Sequence, residues 1–296
     1  MVALLRTGAR SWVEYSELVE ERGSARAVLE DELATGGDPS GQQVLLSVSE
    51  HSGPDDAEGL LEAAQRDIDR WDAQGMRLVT VLDPGYPANL RAVHDRPPIV
   101  FLAGELTPAD ANGIAVVGAR KATPRGLAAA ATIAEHLTER GYTVVSGLAA
   151  GIDTAAHTAV LKRNGRTVAV IGTGLARSYP PQNAALQRRI ASECAVISQF
   201  WPDAPPTRRS FPMRNAVMSG FALATVVVEA SDTSGARMQA RIALAQGRPV
   251  FLLASLVERQ AWAREYACRP GTHVVRNPED ITTILERLIA PGTLVA

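Results

Sequence analysis

Cysteine, histidine and long apolar runs are all scarce in this sequence of 296 residues. Its 2 cysteines, Cys194 and Cys268, are too few for a disulfide scaffold or a cysteine-based metal cluster. The 5 histidines show no metal-ligand spacing. No apolar run approaches the roughly 18 residues that predict a membrane span, and the first residues lack the continuous apolar segment of a signal peptide. We therefore expect a cytoplasmic protein that neither enters a membrane nor binds a metal.

Two nucleotide-binding motifs and a catalytic constellation are also missing. No Gly-x-x-x-x-Gly-Lys-Ser/Thr segment indicates a P-loop ATPase, and Gly172 and Gly174 lack the third glycine of a dinucleotide-binding fingerprint. Asp153 and His157 are four residues apart on a predicted helix, but no nucleophile accompanies them. A helix cap at Asp153 and a structural hydrogen bond at His157 explain this pair better. We expect no catalysis and no cofactor.

Charge is distributed unevenly along the chain, although the net charge is only -2. Residues 1–112 contain 9 Lys+Arg and 20 Asp+Glu, a balance of -11, whereas residues 113–296 contain 21 and 12, a balance of +9. An acidic first part and a basic second part indicate two modules with different partners. The basic part has the charge to attract a polyanion. Attraction between the two parts explains the same asymmetry, and charge alone does not decide between these interpretations.

Two regions differ in their hydrophobic pattern. Residues 1–75 have apolar residues at helical spacing over Ser11 to Leu33 and Asp56 to Ala73, separated by a loop at residues 35–41. This pattern predicts a small helical accessory module of the SAM-like type. Residues 76–296 instead alternate short, wholly apolar strands with helices. That alternation predicts an extended Rossmann-like α/β domain with a doubly wound, mostly parallel sheet.

The ends of the predicted strands carry the first candidate binding residues. In doubly wound sheets, ligands bind at the carboxyl ends of strands, where glycines let the backbone approach and helix N-termini offer amide donors. Such an edge favours phosphate. The candidates at these strand ends are Gly118, Arg120, Lys121, Ser146, Gly147, Gly151, Gly172, Gly174, Ser234 and Gly235.

The loop after the first strand of this region is the sharpest of these candidates. Thr123 is the expected N-cap of the next helix and Pro124 its first residue. Arg120 has the forked donors that suit a phosphate, and Lys121 adds a point charge. A tight turn with two solvated basic side chains is the alternative interpretation.

A proline- and arginine-rich segment forms a second candidate. It contains Arg208 and Arg209 and bears the rings of Phe200, Trp201 and Phe211. Proteins that bind single-stranded nucleic acid use cations for phosphates and rings for stacking bases. A proline-rich connection with buried aromatic side chains is the alternative.

Several motifs together resemble one protein family. Residues 146–153 (SGLAAGID), followed by Ala156-His157, are similar to the signature of the DprA family, also called Smf, the DNA-processing proteins of bacteria. Further blocks stand in the order of that family: DPGYP at 83–87, GTG at 172–174, YPPQN at 179–183, FPMRN at 211–215, VVVEA at 226–230 and SG at 234–235. The resemblance covers roughly residues 78–285.

This resemblance implies a Rossmann-like domain that binds single-stranded DNA without catalysis. It also implies a homodimer that protects incoming DNA in natural transformation and delivers the strand to a RecA-type recombinase. Arg120 takes a phosphate-binding role by resemblance, and Arg214 and Asn215 take DNA-binding roles from the FPMRN block. The family usually has a second arginine after this block, where the present chain has Ala216.

Two other classes with Rossmann-like folds stay open as alternatives. One is a non-catalytic sensor that binds a nucleotide derivative. The other is a phosphoribohydrolase related to the lysine-decarboxylase-like proteins, which carry a Pro-Gly-Gly-x-Gly-Thr-x-x-Glu motif. At the corresponding strand end this chain has Glu229 and Ser234-Gly235, without the double glycine or the downstream glutamate, so hydrolysis is disfavoured.

Overall fold

The computed structural model describes residues 1–35 and 57–289. It begins with helices α1 (Val2–Thr7), α2 (Trp12–Arg22), α3 (Ala25–Thr35) and α4 (Ala57–Ala73). The elements that follow are, in chain order, β1 (Arg77–Thr80), α5 (Ala88–Arg91), β2 (Ile99–Gly104), β3 (Gly113–Val117), α6 (Pro124–Glu139), β4 (Thr143–Ser146), α7 (Ile152–Lys162), β5 (Thr167–Val170), α8 (Ala184–Glu193), β6 (Ala195–Ser198), α9 (Ser210–Phe221), β7 (Ala224–Val227), α10 (Gly235–Ala245), β8 (Val250–Leu253), α11 (Ala254–Arg259), α12 (Ala261–Ala267), β9 (Thr272–Val275) and α13 (Pro278–Ile289).

The strands form one sheet in the order β1-β2-β6-β5-β4-β3-β7-β8-β9. Strands β3 to β9 pair in parallel, and β1 and β2 extend the β6 edge with antiparallel pairing. The chain winds outward from β3 twice, first through β4 to β6 and then, on the other side, through β7 to β9. This arrangement confirms the predicted doubly wound, mostly parallel sheet. Its change of winding direction lies between β3 and β7, where a crevice is expected at the carboxyl ends of the strands.

Alternating side chains build a core on each face of this sheet. In β3, Ile114 and Val116 pack with α6, α7 and α13, whereas Ala115 and Val117 pack with α9 and α10. All four side chains are buried. Burial of each valine or isoleucine contributes roughly 1.5–3 kcal/mol. The loops that leave β3 and β7 therefore start from firmly packed strands and diverge to opposite faces.

The N-terminal helices pack against the face of the sheet near β2 and β6. Trp71 of α4 contacts Phe101 of β2 edge-on at 5.0 Å between ring centroids, and it stacks with Trp201 at 5.7 Å. The helical pattern predicted across residues 11–33 is formed by two helices, α2 and α3. Gly23 ends α2 with a φ of 65°, a left-handed conformation that favours glycine, and α3 begins two residues later.

Some of the sequence-based predictions fall outside these observations. The loop expected at residues 35–41 lies almost entirely outside the described residues, and the division into modules at residue 75 stays a prediction. Helices α11 and α12 were not indicated by the sequence. With 6 and 7 residues, they are too short to display a helical period. None of the described helices is long and apolar enough to cross a membrane.

Candidate nucleic-acid interface

A cleft of about 550 Å³ lies between the carboxyl ends of β3 and β7, where the sheet changes winding direction. We call it the switch cleft. Its walls are the β3–α6 loop, the loop after β7, and residues of α9 and α10. Seven of the twelve predicted binding residues line it: Gly118, Arg120, Lys121, Arg214, Asn215, Ser234 and Gly235. The fold thus gathers at one place residues that are far apart in the chain.

A carboxylate from the end of β7 fixes the β3–α6 loop. Thr123 is the N-cap of α6, as predicted, because its hydroxyl accepts from the Gly126 N–H at 3.0 Å. Glu229 accepts from the Thr123 hydroxyl at 2.8 Å and from the Thr123 N–H at 3.3 Å. A Cβ atom at Gly126 would lie 2.0 Å from Glu229 Oε2. The N-terminus of α6 is therefore already covered by a negative group, and its first turn is not open to an anion in the cleft.

Two basic side chains of this loop stand at the mouth of the switch cleft. Arg120 and Lys121 are exposed, and neither pairs with an acidic side chain of residues 1–35 or 57–289. The Arg120 guanidinium lies over the Phe211 ring at 5.0 Å from its centroid. Phe211 in turn is 5.6 Å from the ring of Tyr179, which is 40% exposed. The mouth therefore presents two uncompensated positive charges beside two accessible rings.

Arg214 is buried at the floor of the switch cleft, under the β4–α7 loop. Its Nη1 donates to the Val170 carbonyl at 3.1 Å, and Gly147 makes room for it, since a Cβ there would lie 1.4 Å from Nη1. The buried Asp153 carboxylate accepts from the N–H groups of Gly147 and Ala149 at 3.1 and 3.3 Å. Burial lowers the pKa of Arg214 and raises the pKa of Asp153, and each charge opposes the shift of the other. Hydrogen bonds therefore fix both charges, Asp153 to the loop amides and Arg214 to the end of β5.

The remaining predicted residues shape the loops around the switch cleft rather than its walls. Ser146 is fully buried, its hydroxyl donates to the Val116 carbonyl at 2.7 Å, and it does not line the cleft. Gly147 faces Arg214. Gly151 has a φ of 82°, and a Cβ there would lie 2.3 Å from the Ala119 carbonyl oxygen. These glycines allow two loops to approach each other, and they do not line the cleft.

Gly172 and Gly174 also serve close packing outside the cleft walls. A Cβ at Gly172 would lie 3.0 Å from the Phe211 ring, and one at Gly174 would lie 2.1 Å from the Trp201 carbonyl oxygen. Phe200 is buried, and Trp201 belongs to the aromatic contacts with the N-terminal helices. Of the three rings considered for base stacking, Phe211 lines the switch cleft, and the packing interpretation holds for the other two.

Asp153 and His157 do not form a base–orienter pair. The Asp153 carboxylate bonds to loop amides and the N-cap of α7 is Gly151, so the helix cap expected at Asp153 is wrong. His157 is fully buried with Nδ1 2.7 Å from the Thr167 hydroxyl, which confirms the expected structural hydrogen bond. Burial lowers the pKa of His157 to about 3, so the ring is neutral at pH 7. No group of three His, Cys, Asp or Glu side chains in the described part of the chain could hold a metal ion.

The far wall of the switch cleft contains a residue that no sequence pattern indicated. Gln239 of α10 is 1% exposed, and neither its amide nitrogen nor its amide oxygen has a partner among the described residues. A lone glutamine within a helix carries no signal that separates it from a surface residue. Two predicted residues hold the same wall. Asn215 Nδ2 donates to the Gly235 carbonyl at 3.4 Å, and Ser234 is the N-cap of α10.

The fold and the cleft together define a class of protein. It is a doubly wound α/β protein with a cleft at the point where its sheet changes winding direction and with basic side chains, unpaired among the described residues, at the mouth of that cleft. The family model for DNA recombination-mediator protein A matches residues 77–286. The chain belongs to this family, which confirms the resemblance carried by the sequence motifs.

Similar proteins come from several bacteria. Protein Smf of Synechocystis sp. is 38% identical over 190 residues, which cover 63% of this chain and 48% of that protein. DNA processing protein DprA of Streptococcus pneumoniae is 34% identical over 208 residues, which cover 70% of this chain and 73% of that protein. The X-ray structure of the S. pneumoniae protein matches with a TM-score of 0.65 at 29% identity, covering 86% of this chain and 92% of that one. The chain thus spans about half the length of the Synechocystis relative.

Proposed function

We propose that the chain binds single-stranded DNA in the switch cleft and acts as a recombination mediator, not as an enzyme. The observation that carries this proposal is the meeting of uncompensated cations, Arg120 and Lys121, with the partly accessible rings of Phe211 and Tyr179. Cations follow a phosphate backbone and rings stack on unpaired bases, whereas a duplex keeps its base faces enclosed. Membership of a family described as recombination mediators supports the same function.

Each residue at the mouth has a distinct part in this proposal. The Arg120 guanidinium donates a forked pair of hydrogen bonds to one phosphate, and Lys121 supplies a second charge. A Cβ at Gly235 would meet no other atom within 4 Å, so the strand can approach the backbone at the start of α10. Arg214 acts indirectly: it holds the floor through its bond to Val170 and adds positive potential.

The absence of catalysis belongs to the proposal. His157 is buried and neutral, and Asp153 is engaged by loop amides, so neither is placed to act as a general base. Incubation with ATP, nucleoside monophosphates and single-stranded DNA, with and without magnesium, should give no product above a buffer control. Product formation that His157→Ala abolishes in a folded protein would contradict the proposal.

The same proposal includes the fate of the bound single-stranded DNA. A homodimer protects this DNA during natural transformation and passes it to a RecA-type recombinase. The family description as a recombination mediator supports this step. A RecA-type recombinase should form filaments faster on DNA that is first coated with this protein, and Arg120→Gln should abolish the acceleration. Sedimentation of the protein as a monomer at micromolar concentration would remove the homodimer from the proposal.

Binding itself is tested by fluorescence anisotropy with single-stranded and duplex DNA of the same sequence. We expect tighter binding of the single strand and a steep loss of affinity with salt, about 0.7 in the logarithmic slope for each phosphate contact. Arg120→Gln should weaken binding. Arg188→Gln is the matched control, since Arg188 is exposed on α8 and lines neither this cleft nor the neighbouring one. A mononucleotide that binds as tightly as an oligonucleotide would favour the sensor function instead.

A further inference from the structure

A second cleft, which we call the outer cleft, lies beside the switch cleft at the carboxyl ends of β7 and β8. It measures about 480 Å³. Glu229, Ala230 and Gln260 line both clefts, so these residues form a shared ridge. The two clefts are therefore consecutive depressions along one edge of the sheet, and a chain-like ligand that leaves the first can enter the second.

Three arginines converge on the outer cleft from separate elements. Arg125 lies in the first turn of α6, Arg259 ends α11, and Arg276 directly follows β9. All three are exposed, and none has an acidic partner within the described ranges of the chain. Two carboxylates, Glu229 and Glu258, lie in the same lining, so three arginines face two carboxylates, and Glu229 is hydrogen-bonded to Thr123. Like charges gathered at a concave surface favour an anion between them.

Three arginines at the opposite edge of the sheet do have acidic partners. Arg140, Arg163 and Arg166 lie near the amino ends of the strands, and each is paired with a carboxylate. The nitrogen–oxygen distances are 3.7 Å to Glu286, 3.0 Å to Glu135 and 2.6 Å to Asp110. The surface therefore does not lack acidic partners in general. The three arginines of the outer cleft differ from these in having no acidic partner among the described residues.

We propose that single-stranded DNA leaving the switch cleft crosses the ridge at Glu229 and enters the outer cleft, where Arg125, Arg259 and Arg276 bind its phosphates. This inference rests on the proposed function and deepens it, because it gives the site a direction and a length. From β3 to β9 there are three strand spacings, roughly 14 Å at about 4.8 Å each. That distance holds about four phosphates at a spacing of about 3.4 Å, and fewer in a stretched strand.

The outer cleft should bind DNA without regard to sequence. Its described lining offers arginines but no aromatic ring on which a base could stack. The switch cleft would then hold both bases and backbone, and the outer cleft the backbone alone. The contribution of the outer cleft must consequently depend on the length of the strand and not on its composition.

The test compares strand lengths with the Arg259→Gln/Arg276→Gln double variant. Both side chains are exposed, so the fold should persist, and the thermal midpoint checks this. Oligothymidylates from about 4 to about 16 nucleotides cover the usual range of single-strand site sizes. We expect the shortest strand to bind as in the wild type and the longest to bind about tenfold more weakly or worse. For the longest strand, the logarithmic salt slope should decrease by about 1.4, or about 0.7 for each lost contact.

Two further variants separate this inference from the proposed function. Arg120→Gln should weaken all lengths, and Lys162→Gln/Arg188→Gln, which removes two exposed charges outside both clefts, should weaken none. If Arg120→Gln weakens binding but the Arg259→Gln/Arg276→Gln variant binds the longest strand normally, the outer cleft is not part of the path and the proposed function stands. If Arg120→Gln has no effect either, the proposed function itself fails.

Two other results would also overturn the path through the outer cleft. Equal weakening of the shortest and the longest strands by the double variant would mean that its arginines do not extend the site. Thymidine monophosphate is the second probe. If it binds as tightly as the longest strand and the double variant abolishes that binding, the outer cleft is a separate nucleotide pocket.

Discussion

The tightest steric relation at the site is the one between Gly147 and Arg214, and Gly147→Ala tests it directly. The backbone at Gly147 is not in the left-handed region, so alanine is conformationally acceptable there. The new Cβ, however, would lie 1.4 Å from Nη1 and 2.3 Å from Cζ of Arg214. The guanidinium must therefore move, and the adjoining switch cleft is the space into which it can swing.

The cost of this movement follows from the bonds that it breaks. Arg214 loses its hydrogen bond to the Val170 carbonyl, and a bond from a charged group contributes about 1.5–3 kcal/mol. Asp153 stays buried and keeps its bonds to the loop amides, but it loses part of the favourable influence of the nearby positive charge. Hydration of the released guanidinium offsets part of the loss. We expect a decrease of about 1.5–3 kcal/mol in the free energy of unfolding.

Urea denaturation measures this change as a lower midpoint with an unchanged slope. Gly235→Ala is the matched control at the same cleft, because a Cβ there meets no atom within 4 Å and should change stability by less than about 1 kcal/mol. In an Asp153→Asn/Arg214→Met background, Gly147→Ala should also cost less than about 1 kcal/mol. Equal costs in both backgrounds, or no cost in the wild type, would refute the placement of Arg214 beside Gly147.

Three further predictions concern side chains around the same loops. Arg120→Ala should weaken single-strand binding by about 1–3 kcal/mol with little change in thermal midpoint. An unchanged anisotropy titration would instead support the alternative interpretation, in which the loop is a tight turn with solvated basic side chains. Burial lowers the pKa of His157 to about 3, so the unfolded chain takes up a proton first as the pH falls from about 6.5. The free energy of unfolding should then decrease by up to about 1.4 kcal/mol per pH unit down to about pH 3. Urea titrations at several pH values measure this dependence, and the His157→Gln variant should lack the part that His157 contributes. Glu229→Gln should lower stability by about 0.3–1 kcal/mol, because it weakens the interaction with the N-terminus of α6. It should also tighten DNA binding, because it removes a negative charge between the two clefts. Weaker DNA binding by this variant would mean that Glu229 contributes favourably to binding.

The strands of the central sheet are readable from the sequence because they are buried on both faces. A strand such as β3 or β7 then appears as a short, continuous apolar run that ends at glycine or an acid. The helices that cover these strands have enough turns to show their period. Helices α11 and α12 have one or two turns each, and the split of α2 from α3 depends on the backbone conformation of a single residue, Gly23.

The location of the site is also predictable from the sequence, since parallel strands bring their carboxyl ends to one edge. The sequence does not predict which side chains at that edge are free to meet a ligand. Whether Ser146 or Arg120 can meet a ligand depends on partners that are distant in the chain, such as the Val116 carbonyl or the Phe211 ring. Strand-end glycines likewise predict openings for a phosphate. Gly147 is instead filled by a guanidinium that comes from α9.

At the N-terminus of α6, a partner distant in the chain occupies the position that the sequence pattern offers to a ligand. A helix N-terminus attracts an anion, and here the anion is Glu229, 106 residues further along the chain. Because it is held in place by the fold, this carboxylate covers the first turn at any ligand concentration, and the favourable interaction with the helix contributes to stability rather than to binding. In the function we propose, binding depends instead on side chains such as Arg120, Lys121 and Arg125, whose charges are exposed and screened by salt. A site built on backbone amides would bind phosphate with little dependence on ionic strength, whereas a site built on these side chains must lose affinity steeply as salt rises.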